Sequence, residues 1–269
     1  IIFSDTAFQF FKIVNFEKLN IEASRYGAIL PQIPLLVAMK LGISLKSLTI
    51  IFSSSFILLY YLIFICCAHL LKNTAAGLAV VLVLILNISQ SFFHPVTETH
   101  QSLAFSVLFY AILHHSGFRN SFYQFLIALA VIVWSFLTHP IAIYPLIFIV
   151  VYVAIDKKQL RSLKPYALLF IIGFLALAKV LLTNENSYEG KFFSQFINSP
   201  SMIFDLPNLA STSFFIKRLG GLYFWLGVLE IFLIITLIRQ KKYTKLTWQI
   251  VASGFFLAVT LLTYSQGDS

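Results

Sequence analysis

The densest group of chemically capable side chains lies in the stretch Phe93-His94-Pro95-Val96-Thr97-Glu98-Thr99-His100. Two imidazoles and one carboxylate fall within seven residues of each other, and His139 comes from the turn after a later apolar run. Such groups can bind a divalent metal, contact a polar substrate, or cap the two helices that flank the stretch. The spacing of the two histidines is not an established zinc pattern. All three interpretations therefore stay open, and Glu98 is the residue that we favour within them.

A second candidate is Asp5, which stands in Ser4-Asp5-Thr6-Ala7 immediately before an aromatic-rich segment. Ser and Asp are good N-cap residues, so a structural role at the start of a helix is one explanation. The other explanation is chemical, because a carboxylate at a membrane surface can take a proton from an acceptor hydroxyl or bind a metal.

Three basic residues are candidates for binding a phosphate. The guanidinium of Arg25 can bind phosphate oxygens through two parallel hydrogen bonds and stays charged at any relevant pH. Lys217 and Arg218 form a second basic pair at the outer mouth of a later apolar run. The alternative for all three is ordinary contact with lipid headgroups, which Lys and Arg reach by extending along the apolar surface.

Two ionisable residues lie within apolar runs. Glu230 falls near the middle of its run, where an acid is costly and faces the protein interior by default. It can line a cavity for a lipid phosphate or a proton path, or it can be a neutral, hydrogen-bonded structural residue. Lys179 is close to the end of its run and is expected to extend out of the membrane.

The composition indicates the class of protein that must position these residues. Of 269 residues, 59% are hydrophobic and only 11% are charged, and the mean hydropathy is +0.89. Soluble domains have roughly 45–50% apolar and about 25% charged residues. These values exclude a water-soluble enzyme, a disordered chain and a nucleic-acid-binding module. The two cysteines are adjacent, Cys66 and Cys67, and cannot form a disulfide framework.

The apolar segments predict an all-α, polytopic integral membrane protein. A bilayer core about 30 Å thick needs roughly 20 apolar residues per helix. The pair 121–138 and 141–155 is treated as two short spans, because the residue before a proline avoids the α conformation and His139-Pro140 separates them. The chain then has about eight complete transmembrane helices plus the tail of one at its N-terminus, over residues 48–71, 74–90, 101–115, 121–138, 141–155, 165–183, 219–238 and 246–264.

The distribution of charge orients these helices. With eight spans, one side receives ten of the nineteen basic residues in short loops with a single acid, Asp156, whereas eight of the ten acids fall on the other side. Short basic loops are cytoplasmic. The acidic side, which carries Asp5, Glu98 and the other candidates, is then periplasmic or luminal.

Only two segments have room for chemistry, and both lie on that outer side. Residues 4–47 form the first outer loop, in which we expect interfacial helices, the second following Pro31 or Pro34 and ending near Gly42. Residues 184–218 form the second outer loop. Together with the spans in 48–183 and 219–264, these two loops predict one transmembrane domain over residues 1–269. We expect this domain to be a fragment of a longer chain.

This arrangement resembles the GT-C superfamily of membrane glycosyltransferases. The shared features are an acid after the first membrane helix, amphipathic helices in a long first outer loop, and many spans with short loops. The run Arg25-Tyr26-Gly27-Ala28-Ile29-Leu30-Pro31 resembles the Arg-Tyr-x-x-x-x-Pro stretches of bacterial members of the dolichyl-phosphate-mannose-protein mannosyltransferase-like branch. The resemblance in motifs covers only about residues 4–34.

The resemblance implies a polyprenyl-phosphate-sugar donor, a lipid or glycan acceptor and contact with membrane lipids, with no nucleic acid. It implies a bacterial inner membrane and a periplasmic active face, and Asp5 matches the catalytic acid of the first loop. Arg25, Lys217 and Arg218 are then candidates for the donor phosphate. His94, Glu98, His100 and His139 would contact substrate or hold a divalent metal, the one cofactor left open.

Two other functions compete with this expectation. A transporter or flippase would need polar or broken helices at the membrane midplane and often an internal repeat. The chain offers only Glu230 there, and no repeat is visible in the sequence. A non-catalytic membrane subunit of the same fold is the second alternative, since one aspartate in the right place is little evidence for catalysis.

The predicted topology can be tested by cysteine labelling in a background in which Cys66 and Cys67 are replaced by serine. Cysteines at Ser4 and Ser187 should react with an impermeant thiol reagent added from outside, because both lie on the acidic side. A cysteine at Gln159 lies in a basic loop and should stay unlabelled. Labelling at Gln159 alone would reverse the orientation.

Overall fold

A computed structural model describes residues 4–22, 25–91, 98–116, 122–183, 190, 200–221 and 224–263. These residues form helices and turns, and no strand occurs among them. The all-α prediction is confirmed. The helices are α1 (Ser4–Phe16), α2 (Ile29–Lys40), α3 (Leu45–Ile65), α4 (Thr74–Ser91), α5 (Glu98–Ser116), α6 (Phe122–Thr138), α7 (Ile143–Asp156), α8 (Leu163–Leu182), α9 (Ala210–Gly220), α10 (Phe224–Arg239) and α11 (Tyr243–Thr263).

Two helices in the described ranges are long and apolar enough to cross a membrane, judged by length and composition. One is Leu45–Leu70, which comprises α3 and a π-helical turn over Cys66–Leu70, and the other is α8. A third is obtained if α9 and α10, which are bent by 84° at a short break, count together as one span. Each of the eight predicted runs lies largely on a helix, but several of these helices are short. The count of eight spans stays a prediction.

The chain divides into two compact units, Ile1–Lys179 and Val180–Ser269. In the first unit, α5 lies between α4, α6 and α7 and contributes buried side chains to two apolar clusters. Helix α1 packs by one face, through Phe10 and Ile13, against α2 and α3, and the Phe10 and Phe52 rings lie 5.6 Å apart. Its other face leaves Phe8, Phe11 and Phe16 exposed, as expected for an amphipathic helix.

The predicted start of the second short helix was wrong. Helix α2 begins at Ile29, so that Pro31 falls in its first turn and Pro34 in its interior. A proline is tolerated in the first turn because N–H groups there have no intrahelical acceptor. Beside the proline pair, Ser55 Oγ of α3 donates a hydrogen bond of 2.5 Å to the Pro31 carbonyl. The helix ends at Lys40 before Gly42, whose φ of +68° suits glycine, so the predicted end is confirmed.

The second unit contains α9, α10, α11 and a 3-10 helix over Pro200–Asn208. The Ser211 hydroxyl donates a hydrogen bond of 2.8 Å to the Leu261 carbonyl and so joins α9 to α11. Lys217 and Arg218 lie in the last turn of α9, not at the mouth of a continuous span that begins at residue 219. The prediction of that span was wrong at its start, because the helix stops at the Gly220-Gly221 pair, where glycine favours a break.

In the first unit, Gly27 is the residue that lets the chain approach α6. It lies in the 3-10 turn Tyr26–Ala28, and a Cβ atom built on it would overlap the side chain and backbone of Thr138. Both Gly27 and Thr138 are buried. The contact therefore requires glycine for lack of space, and it holds the segment that follows Arg25 against the end of α6.

Replacing Gly27 with alanine should therefore destabilise the protein by about 1–3 kcal/mol, the usual cost of overfilling a packed site. Gly173 in α8 is the matched control, since a Cβ there meets no described atom within 4 Å. Gly173→Ala should leave stability unchanged or raise it, because alanine favours a helix over glycine. Thermal unfolding of both variants in the same detergent tests this, and equal melting temperatures would contradict it.

Candidate functional site

The segment that carries Arg25 is fixed by a buried amide. The Gln32 side chain, which is fully buried in α2, accepts from the backbone N–H of Asn20 and donates to its carbonyl, each at 2.9 Å. Nearby, Glu22 accepts from Asn20 Nδ2 at 3.0 Å and forms an ion pair of 3.1 Å with Lys12. The hydrogen bond from Asn20 and the ammonium of Lys12 lower the pKa of Glu22. These contacts connect α1 to the loop before Arg25.

An ion pair links Arg25 to Glu98 across 73 positions of sequence. The Arg25 Nη1 and Glu98 Oε2 atoms are 3.4 Å apart, and the two side chains are only 16% and 14% exposed. Glu98 is the first residue of α5, where the helix dipole favours a negative charge. The structure thus brings together the favoured phosphate-binding residue and the favoured residue of the 93–100 stretch.

His139 lies beside this pair, at the junction of α6 and the 3-10 turn Pro140–Ala142. Its Nδ1 accepts a hydrogen bond of 3.2 Å from the Ile141 N–H, which caps the turn and assigns the proton of the neutral ring to Nε2. Burial, followed by the charges of Arg25, Lys179 and His100, lowers the pKa of His139 to about 3. The imidazole is therefore neutral at physiological pH.

His100 and Lys179 complete the group. Burial lowers the pKa of His100, which stands one half-turn along α5 from Glu98. Lys179 lies in the last turn of α8, and its charge acts on His139. From the sequence, Lys179 was expected only to extend out of the membrane. In the structure it is half-buried. Its electrostatic interaction with His139 could not be inferred from its position near the end of an apolar run. We call Arg25, Glu98, His100, His139 and Lys179 the outer cluster.

The remaining predicted site residues are placed elsewhere or lie beyond the described residues. Asp5 is in the first turn of α1, where a carboxylate stabilises a helix, and His94 lies outside the described residues. Lys217 and Arg218 belong to the second unit, where the Arg218 guanidinium lies 4.9 Å from the centre of the Phe214 ring.

Glu230 joins two helices of the second unit. Gln249 Nε2 of α11 donates to both carboxylate oxygens of Glu230, at 3.1 and 3.0 Å, and Ser253 Oγ donates to one of them at 3.1 Å. The sequence left open whether Glu230 lines a cavity or a proton path or is a hydrogen-bonded structural residue, and these contacts favour the structural role. Buried polar groups in a membrane need such partners.

No group of three His, Cys, Asp or Glu side chains placed to hold a metal ion occurs among the described residues. In the outer cluster, Arg25 occupies the position beside Glu98 that a cation would take, and Nδ1 of His139 is engaged by the backbone. The geometry of these residues does not provide a metal centre.

The arrangement is suited to a singly or doubly charged anion. Arg25 pairs with the Glu98 carboxylate, and the charges of Arg25 and Lys179 both act on His139, one of two imidazoles whose pKa values are lowered. Half-buried cations attract an anion more strongly than exposed ones, because the surroundings screen their charge less. A neutral imidazole N–H adds a hydrogen-bond donor without a further charge.

Comparison with known proteins identifies no relative: no family model, no curated protein and no solved structure matches the chain.

The low pKa of His139 predicts a pH dependence of stability. An unfolded chain takes up a proton on this residue below about pH 6.5, whereas the folded chain does so only near pH 3. Between these values the unfolded state binds more protons, so the free energy of unfolding must fall as the pH falls. Asn is a good cap residue that does not titrate. His139→Asn should therefore lose less thermal stability than the wild type between pH 7 and pH 4; an identical loss would contradict the assignment.

Proposed function

We propose that the protein is a polytopic membrane glycosyltransferase that moves a sugar from a polyprenyl phosphate to a lipid or glycan acceptor on the periplasmic face. The observation that carries the proposal is the half-buried outer cluster, in which Arg25 of the Arg-Tyr-x-x-x-x-Pro run meets Glu98, His100 and His139. A cationic site enclosed by apolar helices is suited to a phosphate that is attached to a lipid.

The proposed reaction needs groups that act on the phosphate of the donor and a group that acts on the acceptor. The acceptor oxygen attacks the anomeric carbon of the sugar, the bond from that carbon to the phosphate oxygen breaks, and the acceptor proton passes to a base. Arg25 and Lys179 would stabilise the negative charge that develops on the departing polyprenyl phosphate. Glu98 would orient the Arg25 guanidinium and is a positioning residue in this scheme.

Asp5 is the proposed base. It lies in the first turn of α1, and α1 is attached through Lys12 and Glu22 to the loop that leads to Arg25. A carboxylate in such a place can accept the proton that the acceptor hydroxyl loses.

An apolar groove supports a lipid-linked donor. It has a volume of about 450 Å³, opens between α2 and α3, and is lined by Pro34, Ile51, Ser54, Ser55, Ile57, Leu58 and Tyr61. Ser55 also bonds to the Pro31 carbonyl, six residues after Arg25. We assign this groove to the isoprenoid chain of a donor whose phosphate is at Arg25.

Asp5→Asn should abolish most of the transfer while leaving the fold intact, because Asn keeps the size and capping ability of Asp. The loss of a general base typically lowers the rate by 10²–10⁴-fold. The measurement is sugar transfer by the purified full-length protein, with thermal unfolding as the control for folding. Transfer near the wild-type rate would leave Asp5 as a structural residue and favour the non-catalytic subunit.

Arg25→Ala should instead weaken binding of polyprenyl phosphate, by about tenfold or more if a charged hydrogen bond of 1.5–3 kcal/mol is lost. Arg25→Lys should recover only part of this affinity, since an ammonium cannot bind phosphate through two parallel hydrogen bonds. Arg161→Ala is the matched control, because Arg161 is exposed in the loop between α7 and α8. Equal affinity in Arg25→Ala and Arg161→Ala would remove Arg25 from the site.

A further inference from the structure

Four residues of the first unit have buried side-chain polar atoms without a hydrogen-bond partner in the part of the chain that the structure describes. One is Gln9 of α1, through Oε1. The other three lie on helices that pack together: the Tyr60 hydroxyl of α3, both side-chain polar atoms of Gln101 of α5, and Nε1 of Trp134 of α6. Tyr60 is 2% exposed and Gln101 is fully buried. An unpaired buried polar group usually costs about 1–3 kcal/mol, and most buried polar groups in native proteins have a partner. Three such residues on helices that pack together call for an explanation.

The three residues belong to one region. Tyr60 and Trp134 pack in the same apolar cluster as Phe105 of α5. Gln101 precedes Phe105 by four residues and so lies on the same face of α5. The three side chains therefore lie in the interior that α3, α5 and α6 share. We call Tyr60, Gln101 and Trp134 the inner polar layer.

Two members of the inner polar layer are close in sequence to the outer cluster. Gln101 follows Glu98 by three residues of α5, a rise of about 4.5 Å, and Trp134 lies one turn before Thr138, the last residue of α6, which precedes His139. Tyr60 packs in the same apolar cluster as Trp134. Because Arg25 pairs with Glu98, the chemical group next to a phosphate at Arg25 would lie about one helical turn from Gln101.

The donors and acceptors of the layer specify that group. Gln101 Oε1 needs a donor, Gln101 Nε2 and Trp134 Nε1 need acceptors, and the Tyr60 hydroxyl can do either. A phosphate offers acceptors only, and its burial away from cations would be costly. An isoprenoid chain offers neither. Hydroxyl groups, which donate and accept at once, meet all of these requirements without a charge.

We propose that the inner polar layer binds the hydroxyl groups of a neutral sugar whose phosphate is held by Arg25. This inference rests on the proposed function and names the part of the substrate that the inner residues recognise. It also accounts for the unpaired atoms: a site built to hydrogen-bond several hydroxyls leaves its own polar groups without protein partners.

The test is Gln101→Leu, which removes both unpaired atoms at similar volume. If Gln101 serves ligand binding, the variant should be at least as stable as the wild type, because a buried unsatisfied amide is lost. Gln32→Leu is the matched control, since Gln32 is equally buried but bonded to the Asn20 backbone, and it should lower the melting temperature. Tyr60→Phe and Trp134→Phe remove one polar atom each and keep most of the packing.

Binding is measured on full-length protein in lipid nanodiscs with polyprenyl phosphate, polyprenyl-phosphate mannose, polyprenyl-phosphate glucose and free methyl mannoside. Wild type should bind at least one sugar-bearing lipid more tightly than polyprenyl phosphate. Gln101→Leu should lose roughly tenfold of that sugar-dependent affinity and retain its affinity for polyprenyl phosphate. Binding of free methyl mannoside that depends on Gln101 would support the same chemistry with the acceptor as the source of the hydroxyls.

The outcomes separate this inference from the proposed function. If polyprenyl phosphate binds through Arg25 but no sugar adds affinity, or if Gln101→Leu retains the sugar-dependent affinity, the inner polar layer does not bind sugar and the phosphate site stands. If the sugar adds affinity through Gln101 but the protein transfers none of it, the layer is a sugar site and the transferase proposal fails.

Discussion

The first unit depends on the contact of Gly27 with Thr138. Because glycine has no side chain, the turn Tyr26–Ala28 can lie against the end of α6. Arg25 immediately precedes this turn, and its guanidinium pairs with Glu98 at the start of α5. The ion pair then joins a segment near the N-terminus to a residue 73 positions later. A partly buried ion pair of this kind contributes little net stability, since desolvation of both charges offsets their attraction. The ion pair instead fixes the position of the Arg25 guanidinium near the ends of α5, α6 and α8.

The same neighbourhood sets the protonation of the histidines. Arg25 and Lys179 add positive charge to a site that burial has already made unfavourable for an imidazolium, and the Ile141 N–H occupies Nδ1 of His139. The cluster therefore has permanent cations and neutral imidazoles, which is a different electrostatic character from that of a general acid–base pair or a metal site. An imidazole with a lowered pKa is a weak base, so the proposed transfer reaction assigns the proton acceptor to a carboxylate, Asp5.

Much of the helical fold follows from sequence, and the positions that sequence left undetermined have specific physical causes. Apolar periodicity locates the helices, and His139-Pro140 correctly separates α6 from α7. It cannot place the start of α2, because Pro31 is tolerated in a first turn. It also cannot place the break at Gly220-Gly221, because the apolar run that begins at residue 219 continues across the glycine pair. Polar residues near apolar ends predicted Arg25, Glu98, His100 and His139 as candidates. Their convergence depends on tertiary contacts, and Lys179 is indistinguishable in sequence from a lysine that reaches the headgroups.

The polar side chains of the apolar helices differ in whether the protein supplies their hydrogen-bond partners. Gln32 and Glu230 are satisfied by their neighbours, and their hydrogen bonds join a loop to α2 and α10 to α11. Gln101 has the same side chain as Gln32 and equal burial, yet neither of its polar atoms has a partner among the described residues. In a low-dielectric interior an unpaired amide lowers stability, and a leucine of similar volume would fill the same space without that cost. This cost is the physical reason for assigning Gln101 to ligand binding in the proposal, whereas Gln32 is assigned to the fold.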